Sequence, residues 1–282
     1  MYRHIIEPLV SQSFEVLALD WIGFGGSDKP LLVEQISFEL HMRTLLTLFE
    51  KYQIRNACIL AHDWGGCVAL CTVPHFPRSD ACNGVMLLNS FFPPRLSDVS
   101  WNAYLLYLLW LSAQGILGGM LPEEAIIRYM APSVTQTIAA GYAAPFSCSR
   151  SKAAVTRFAR LVPGMPPRIY QWIDSPFGKM IDGLCSPDSL SSIHAQACLR
   201  RRDEEARTFW GSGVAQLRAG VIFGDRDTLL GDFYSVLCQT VRTSYGGPES
   251  HLIVGGGHYA AEEQPEKIVE LFGRFANRDE SA

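Results

Sequence analysis

The 282-residue sequence has no C-x-x-C pair among its eight cysteines, Cys58, Cys67, Cys71, Cys82, Cys148, Cys185, Cys198 and Cys238. Cys67 and Cys71 share a helix face at a spacing of four, yet no histidine or second cysteine pair completes a zinc set, so they are expected as buried thiols. A chain of this length needs no disulfide framework, and the expected compartment is reduced and cytoplasmic. There is no basic excess either. The 24 basic and 28 acidic side chains leave a formal charge of −4, which argues against nucleic-acid binding through phosphate neutralisation. The amino-terminal stretch lacks the uninterrupted apolar core of a signal peptide, because Glu7 and Pro8 break it. No internal repeat is present. One long apolar run exists, Trp101 to Leu121, uncharged from Asp98 to Glu123. By length it would span a bilayer. Asn102, Ser112, Gln114 and three glycines interrupt it, and no Lys/Arg cluster flanks it, so a buried or lid helix is expected and no membrane partner.

What the chain does hold is apolar surface, 48% of residues against 18% charged, enough for a packed core. Strand-like and helix-like segments alternate, which predicts an α/β fold, a mostly parallel sheet with helices on both faces. The expected strands are Phe14–Asp20, Asn56–His62, Gly84–Asn89, Ala219–Gly224 and His251–Val254. Helices are expected at Phe38–Tyr52, Trp64–His75 and Pro265–Ala276. About 130 residues between the third and fourth strands carry helical patterns only and read as a helical cap. The expected organisation is core at 1–92, cap at 93–215 and core again at 216–282.

Chemistry concentrates at Ile59-Leu-Ala-His-Asp-Trp-Gly-Gly-Cys. Asp63 stands between an apolar strand and a helix, with Ala61 two residues before it and Gly65 two after. Small flanking residues let the chain turn sharply and lift the middle side chain above the sheet, the nucleophile-elbow pattern. A carboxylate there suits attack on an sp³ carbon bearing a leaving group, giving an alkyl ester that water hydrolyses. The competing reading is that Asp63 only caps the following helix. The elbow fold orders its residues nucleophile, acid, histidine, the last two on loops after later strands. Asp227 follows Val221-Ile-Phe-Gly-Asp-Arg, and His258 follows Ile253-Val-Gly-Gly-Gly, so both occur where that scheme needs them. His4, His41, His62, His75, His194 and His251 lack this context and are expected to be structural or solvated.

These residues resemble the haloalkane dehalogenases of the α/β-hydrolase fold. The motifs in register are Gly23-Phe-Gly-Gly-Ser-Asp-Lys-Pro, His62-Asp-Trp-Gly-Gly, Phe223-Gly-Asp-Arg-Asp and Gly257-His-Tyr-Ala-Ala-Glu-Glu-Gln-Pro-Glu. Epoxide hydrolases share Asp-Trp-Gly-Gly. The resemblance implies a hydrolase of small halogenated alkanes with water as co-substrate, halide as product, and no metal or cofactor. Asp63 would displace halide, and His258, oriented by Asp227, would activate the water. Asn89 occupies the place where a second subgroup carries a glutamate acid. The Trp64 indole N–H, a donor with no competing acceptor, is expected to hold the halide; the plainer alternative is a core aromatic.

The sequence departs from the family in three places. The cap position for a second halide donor is Met130, which has no N–H, leaving Trp172 or Trp210 as substitutes. The segment Arg168 to Arg202 is longer than usual. The chain also starts where the family is already in the helix after its third strand, so the early strands and a His-Gly-x-Pro motif are expected to be lacking. Two other functions therefore stay open: an epoxide hydrolase, if two of Tyr104, Tyr107, Tyr129, Tyr142 and Tyr170 point at Asp63, and a truncated, inactive relative.

Overall fold

The computed structural model describes residues 1–93, 98, 100–117, 120–160 and 201–277. Four parallel strands form one sheet in the order β1 (Ala57–Asp63), β2 (Cys82–Ser90), β3 (Arg218–Gly224) and β4 (Glu249–Ile253). Register aligns Ala61 with Leu87, Leu87 with Val221, and Val221 with Ser250. Alternation of side chains along β2 and β3 divides the core in two. Leu87 and Val221 join Phe38, Val68, Leu70 and Trp210 on one face. Leu88 and Ile222 join Ile5, Leu9, Ile268 and Phe272 on the other. A central strand apolar on both faces is the mark of a sheet covered on both sides.

The covering helices are α1 (Arg3–Ser11), α2 (Phe38–Lys51) and α3 (Trp64–Thr72), with α4 (Trp101–Leu117), α5 (Glu123–Met130), α6 (Gln136–Ala143) and α7 (Ala153–Arg160) between β2 and β3. Residues 201–211 are helical as well. After β3 come α8 (Phe233–Thr240), α9 (Ala260–Glu263) and α10 (Pro265–Ala276). The start of α2 follows from Ser37, whose Oγ accepts from the Leu40 N–H, an N-cap. Among the described residues no helix is long and apolar enough to cross a membrane; the apolar run forms α4, 17 residues long. Most of Arg168–Arg202, Trp172 included, lies outside the described residues.

One expected strand is absent. Phe14–Asp20 runs without secondary structure and joins no ladder. Its alternation is strand-like, but an extended segment becomes a strand only by hydrogen bonding to a neighbour. Here a cavity of about 1470 Å³, lined by Val16, Leu17 and Ala18 on one side and by Cys58, Ile59 and Leu60 of β1 on another, separates it from the sheet. β1 is therefore an edge strand of the described sheet.

Tight packing under the elbow falls on Gly66. A Cβ there would lie 2.0 Å from Ser90 Oγ and 3.2 Å from Leu87, whereas at Gly65 the nearest atom, Trp21 Nε1, is 3.7 Å away. The small residue demanded at Gly65 by motif spacing thus has room to spare, and α3 is pressed against β2 one residue later. Gly66→Ala is expected to lose roughly 1–3 kcal/mol from overpacking. Gly65→Ala is expected to be neutral or to gain up to about 1 kcal/mol from helix propensity. Urea unfolding of the two variants checks the contrast.

Candidate active site

Asp63 ends β1 and precedes α3 with φ 51° and ψ −126°, a left-handed conformation that a non-glycine residue adopts at a cost of order 1–3 kcal/mol. The turn is held from β2: Ser90 Oγ donates to the Asp63 carbonyl at 2.8 Å. The Asp63 side chain makes no helix-capping hydrogen bond, which removes the N-cap alternative. Burial pushes its carboxyl pKa up, opposed by the nearby His258 and by the Trp64 backbone N–H. That amide and the His258 ring are the groups that favour the carboxylate form.

Asp227 lies three residues beyond β3 and His258 five beyond β4, and the two meet: His258 Nδ1 is 3.1 Å from Asp227 Oδ2, with the side chains 5% and 0% exposed. Four further contacts fix this acid and its loop. Leu229 and Leu230 N–H donate to Asp227 Oδ1 at 2.9 and 3.0 Å. Asn89 Nδ2 donates to Asp227 Oδ2 at 2.7 Å and to the Gly257 carbonyl at 3.3 Å. Burial works to raise the Asp227 pKa, but the His258, Asn89 and Leu230 hydrogen bonds outweigh it and hold it at about 2. For His258 burial favours the neutral ring, yet Asp227, and behind it Asp63, raise its pKa above the usual value. Gly224, at the end of β3, lets the His258 loop come close, since a Cβ there would meet Gly256 O at 2.3 Å.

Two further residues position the pair, His62, expected to be structural or solvated, and Asn89. His62 Nε2 donates to the His258 carbonyl at 2.8 Å, and the rings stand 4.9 Å apart. Burial, with His258 beside it, holds its pKa near 3, so it is a neutral structural strut. Asn89 has φ 43°. Its polarity at the end of an otherwise apolar strand, Val-Met-Leu-Leu-Asn, was the available signal.

Trp64 lines the cavity beside Asp63 and packs edge-on against Phe91 and Phe158 at 5.1 and 5.2 Å. Met130, Leu230 and Tyr259 line the same cavity. Trp210 is not part of it: fully buried, it donates its Nε1–H to the Leu70 carbonyl at 2.9 Å, and that bond to the core overrides its proposed role as halide donor. Among the described tyrosines named for epoxide opening, Tyr142 is committed elsewhere. Tyr142 donates to Glu262 Oε1 at 2.5 Å, and Tyr129 is 85% exposed. Tyr107 lines the cavity; Tyr170 and the Tyr104 side chain lie outside the described residues. Cys67 and Cys71 are both buried on α3.

A parallel sheet with an aspartate elbow and a histidine–aspartate pair beyond its later strands is the arrangement of the α/β-hydrolase fold. The family profile for the alpha/beta hydrolase fold matches residues 1–112. Over 275 residues, 96% of this chain and 78% of the relative, the sequence is 26% identical to the haloalkane dehalogenase of Mycobacterium marinum. The haloalkane dehalogenase DpaA of Paraglaciecola agarilytica superposes with a TM-score of 0.72 at 22% identity, covering 100% of this chain and 80% of that one. A shorter match, 32% identical over 99 residues (35% of this chain and 18% of the relative), is to the mouse bifunctional epoxide hydrolase 2. The chain thus has the α/β-hydrolase fold and is similar over most of its length to haloalkane dehalogenases.

Linkage of the His258–Asp227 pair to pH has a defined sign. Asp227, depressed from 3.8 to about 2, contributes stability that is present above its unfolded pKa and is lost as pH falls through the folded value. His258, raised above 6.5, contributes stability that is present below its unfolded pKa and is lost as pH rises through the folded one. An NMR titration is expected to place the His258 midpoint above 6.5, and Asp227→Asn is expected to move it down. An unmoved midpoint would contradict the pairing.

Proposed function

We propose that this chain hydrolyses carbon–halogen bonds in small halogenated alkanes. The observation that carries the reading is a half-buried carboxylate, not a hydroxyl, at the elbow, with His258 and Asp227 paired near it. A carboxylate oxygen displaces halide at an sp³ carbon in line, and its product is an ester that cannot release itself. His258, hydrogen-bonded through Nδ1 to Asp227, has no partner on Nε2 among the described residues, and that nitrogen takes a proton from water. The hydroxide adds to Asp63 Cγ, and the alcohol leaves carrying an original Asp63 oxygen and the proton held by His258. Trp64 is assigned to the departing halide, because its indole is an N–H donor without an acceptor in an aromatic wall of Phe91 and Phe158. In this reading residues 1–92 and 216–282 are the catalytic core and 93–215 the cap that bounds the substrate. No step needs a metal or cofactor.

Epoxide opening is the second reading, favoured by the likeness to the mouse epoxide hydrolase. It needs hydroxyl donors for the epoxide oxygen, and the commitment of Tyr142 to Glu262 ranks it lower. A third reading, an inactive relative, predicts no turnover of either substrate.

Bromide release from 1,2-dibromoethane is the direct test. Wild-type protein is expected to turn over. Asp63→Asn is expected to lose at least about 10³-fold. His258→Phe is expected to release one bromide per chain and retain an alkyl adduct visible by mass spectrometry. Turnover of a terminal epoxide without bromide release would reverse the order of the first two readings. Below the His258 midpoint the imidazolium cannot accept the proton, so wild-type rate should fall with acidification from above pH 6.5.

A further inference from the structure

The loop that carries His258 has little rigidity of its own. Gly255, Gly256 and Gly257 run together before the histidine, and Gly255 sits at φ 80°, so the backbone there is conformationally free. Its position has to come from contacts. On the side of the sheet these are the hydrogen bonds from His62 and Asn89. On the other side the chain passes from His258 through Tyr259 straight into α9, and α9 is fixed by its two acidic side chains.

Glu263 turns back on the loop, where its Oε2 accepts the Gly257 N–H at 2.6 Å. Glu262, its side chain 1% exposed, joins two other elements. Arg3 of α1 grips it with both terminal nitrogens, Nη1 to Oε1 at 2.6 Å and Nη2 to Oε2 at 2.5 Å, the bidentate geometry of a strong ion pair. Tyr142 of α6, 120 residues away in the chain, donates to Oε1 at 2.5 Å. Packing backs this bond: the Tyr259 ring stands edge-on to Tyr142 at 6.2 Å and to His258 at 5.1 Å. Both tyrosines also pack against the small core that α5 and α6 build around Ile127 and Ala139. Burial works to raise the Glu262 pKa, but the hydrogen bonds from Arg3 and Tyr142 outweigh it and hold it below the usual value. The carboxylate therefore stays charged at neutral pH, and the contact with it. One short helix thus connects α6 to the histidine loop.

We propose that the Tyr142–Glu262 hydrogen bond positions His258 for ester hydrolysis: with α6 clasped to α9 the imidazole is held against Asp227 and toward the Asp63 ester, and without the clasp it drifts. Tyr142 and Glu262 act through α9 as positioning residues. The inference rests on the ester mechanism proposed above.

Tyr142→Phe keeps the ring and its packing and deletes only the hydroxyl. Alkylation of Asp63 does not use His258, so the first-turnover bromide burst from 1,2-dibromoethane should stay within about threefold of wild type. Ester hydrolysis should slow at least about tenfold, since misplacement by about an ångström costs up to roughly 100-fold, and the alkyl-enzyme should accumulate in intact-mass spectra. Burial lowers the His258 pKa while Asp227, Asp63 and Glu263 raise it above the usual value; as the ring drifts from Asp227, its NMR midpoint in Tyr142→Phe should fall. A bond that only anchors α6 would lower the melting temperature and leave both the ratio of burst to steady state and the midpoint unchanged. That result, or equal loss of the two chemical steps, overturns the proposal. If wild type forms neither bromide nor adduct, the ester reading has failed, and the midpoint alone decides the clasp: a fall in Tyr142→Phe supports it, and no shift overturns it. Should Tyr142→Phe not fold, Glu262→Gln and Glu262→Met, matched in size, decide. Glutamine keeps an acceptor for Tyr142 and should hydrolyse the ester at a rate near wild type, whereas methionine should accumulate adduct; two variants that behave alike overturn the proposal.

Discussion

The reversal of the chain at Asp63 is the constraint on which the site depends. A left-handed aspartate is tolerated because β2 grips the turn through Ser90 and because Gly66 lets α3 lie against that strand. The same reversal aims the carboxylate off the carboxyl end of the sheet, where parallel strands collect their functional loops. β3 and β4 then deliver Asp227 and His258 to that end from far along the chain. The packing that makes the elbow possible and the chemistry proposed there are one arrangement.

Polarity is distributed around the pair with little left over. Asp227 is stabilised as an anion by four hydrogen-bond donors, and this in turn sustains a raised His258 pKa. Asn89 joins the acid to the histidine loop, and His62 ties the His258 carbonyl to the strand carrying Asp63. A buried carboxylate is costly unless hydrogen-bonded in this way. The geometry of the Asp227–His258 pair is thus over-determined by the side chains around it.

Much of this was legible in the sequence. Four of five strands, the elbow, and the positions of Asp227 and His258 follow from short apolar runs ending in polar residues at the required order. The failures have physical causes. Phe14–Asp20 has the alternation of a strand, but alternation reports faces and not a hydrogen-bonding neighbour, and the cavity beside β1 leaves it without one. Trp210 sits in a stretch assigned to the cap, and nothing local reveals that its N–H is spent on Leu70. The choice between Gly65 and Gly66 depends on which faces Ser90, a contact 24 residues away in sequence.

The central claim is that Asp63 is the nucleophile and passes its own oxygen to the product. A single-turnover reaction of excess enzyme with 1,2-dibromoethane in ¹⁸O-water tests it most directly. The account predicts unlabelled alcohol and one ¹⁸O atom in the Asp63 carboxylate, located by peptide mass spectrometry. Label in the alcohol with none in Asp63 would mean that water attacks carbon directly, and would contradict it.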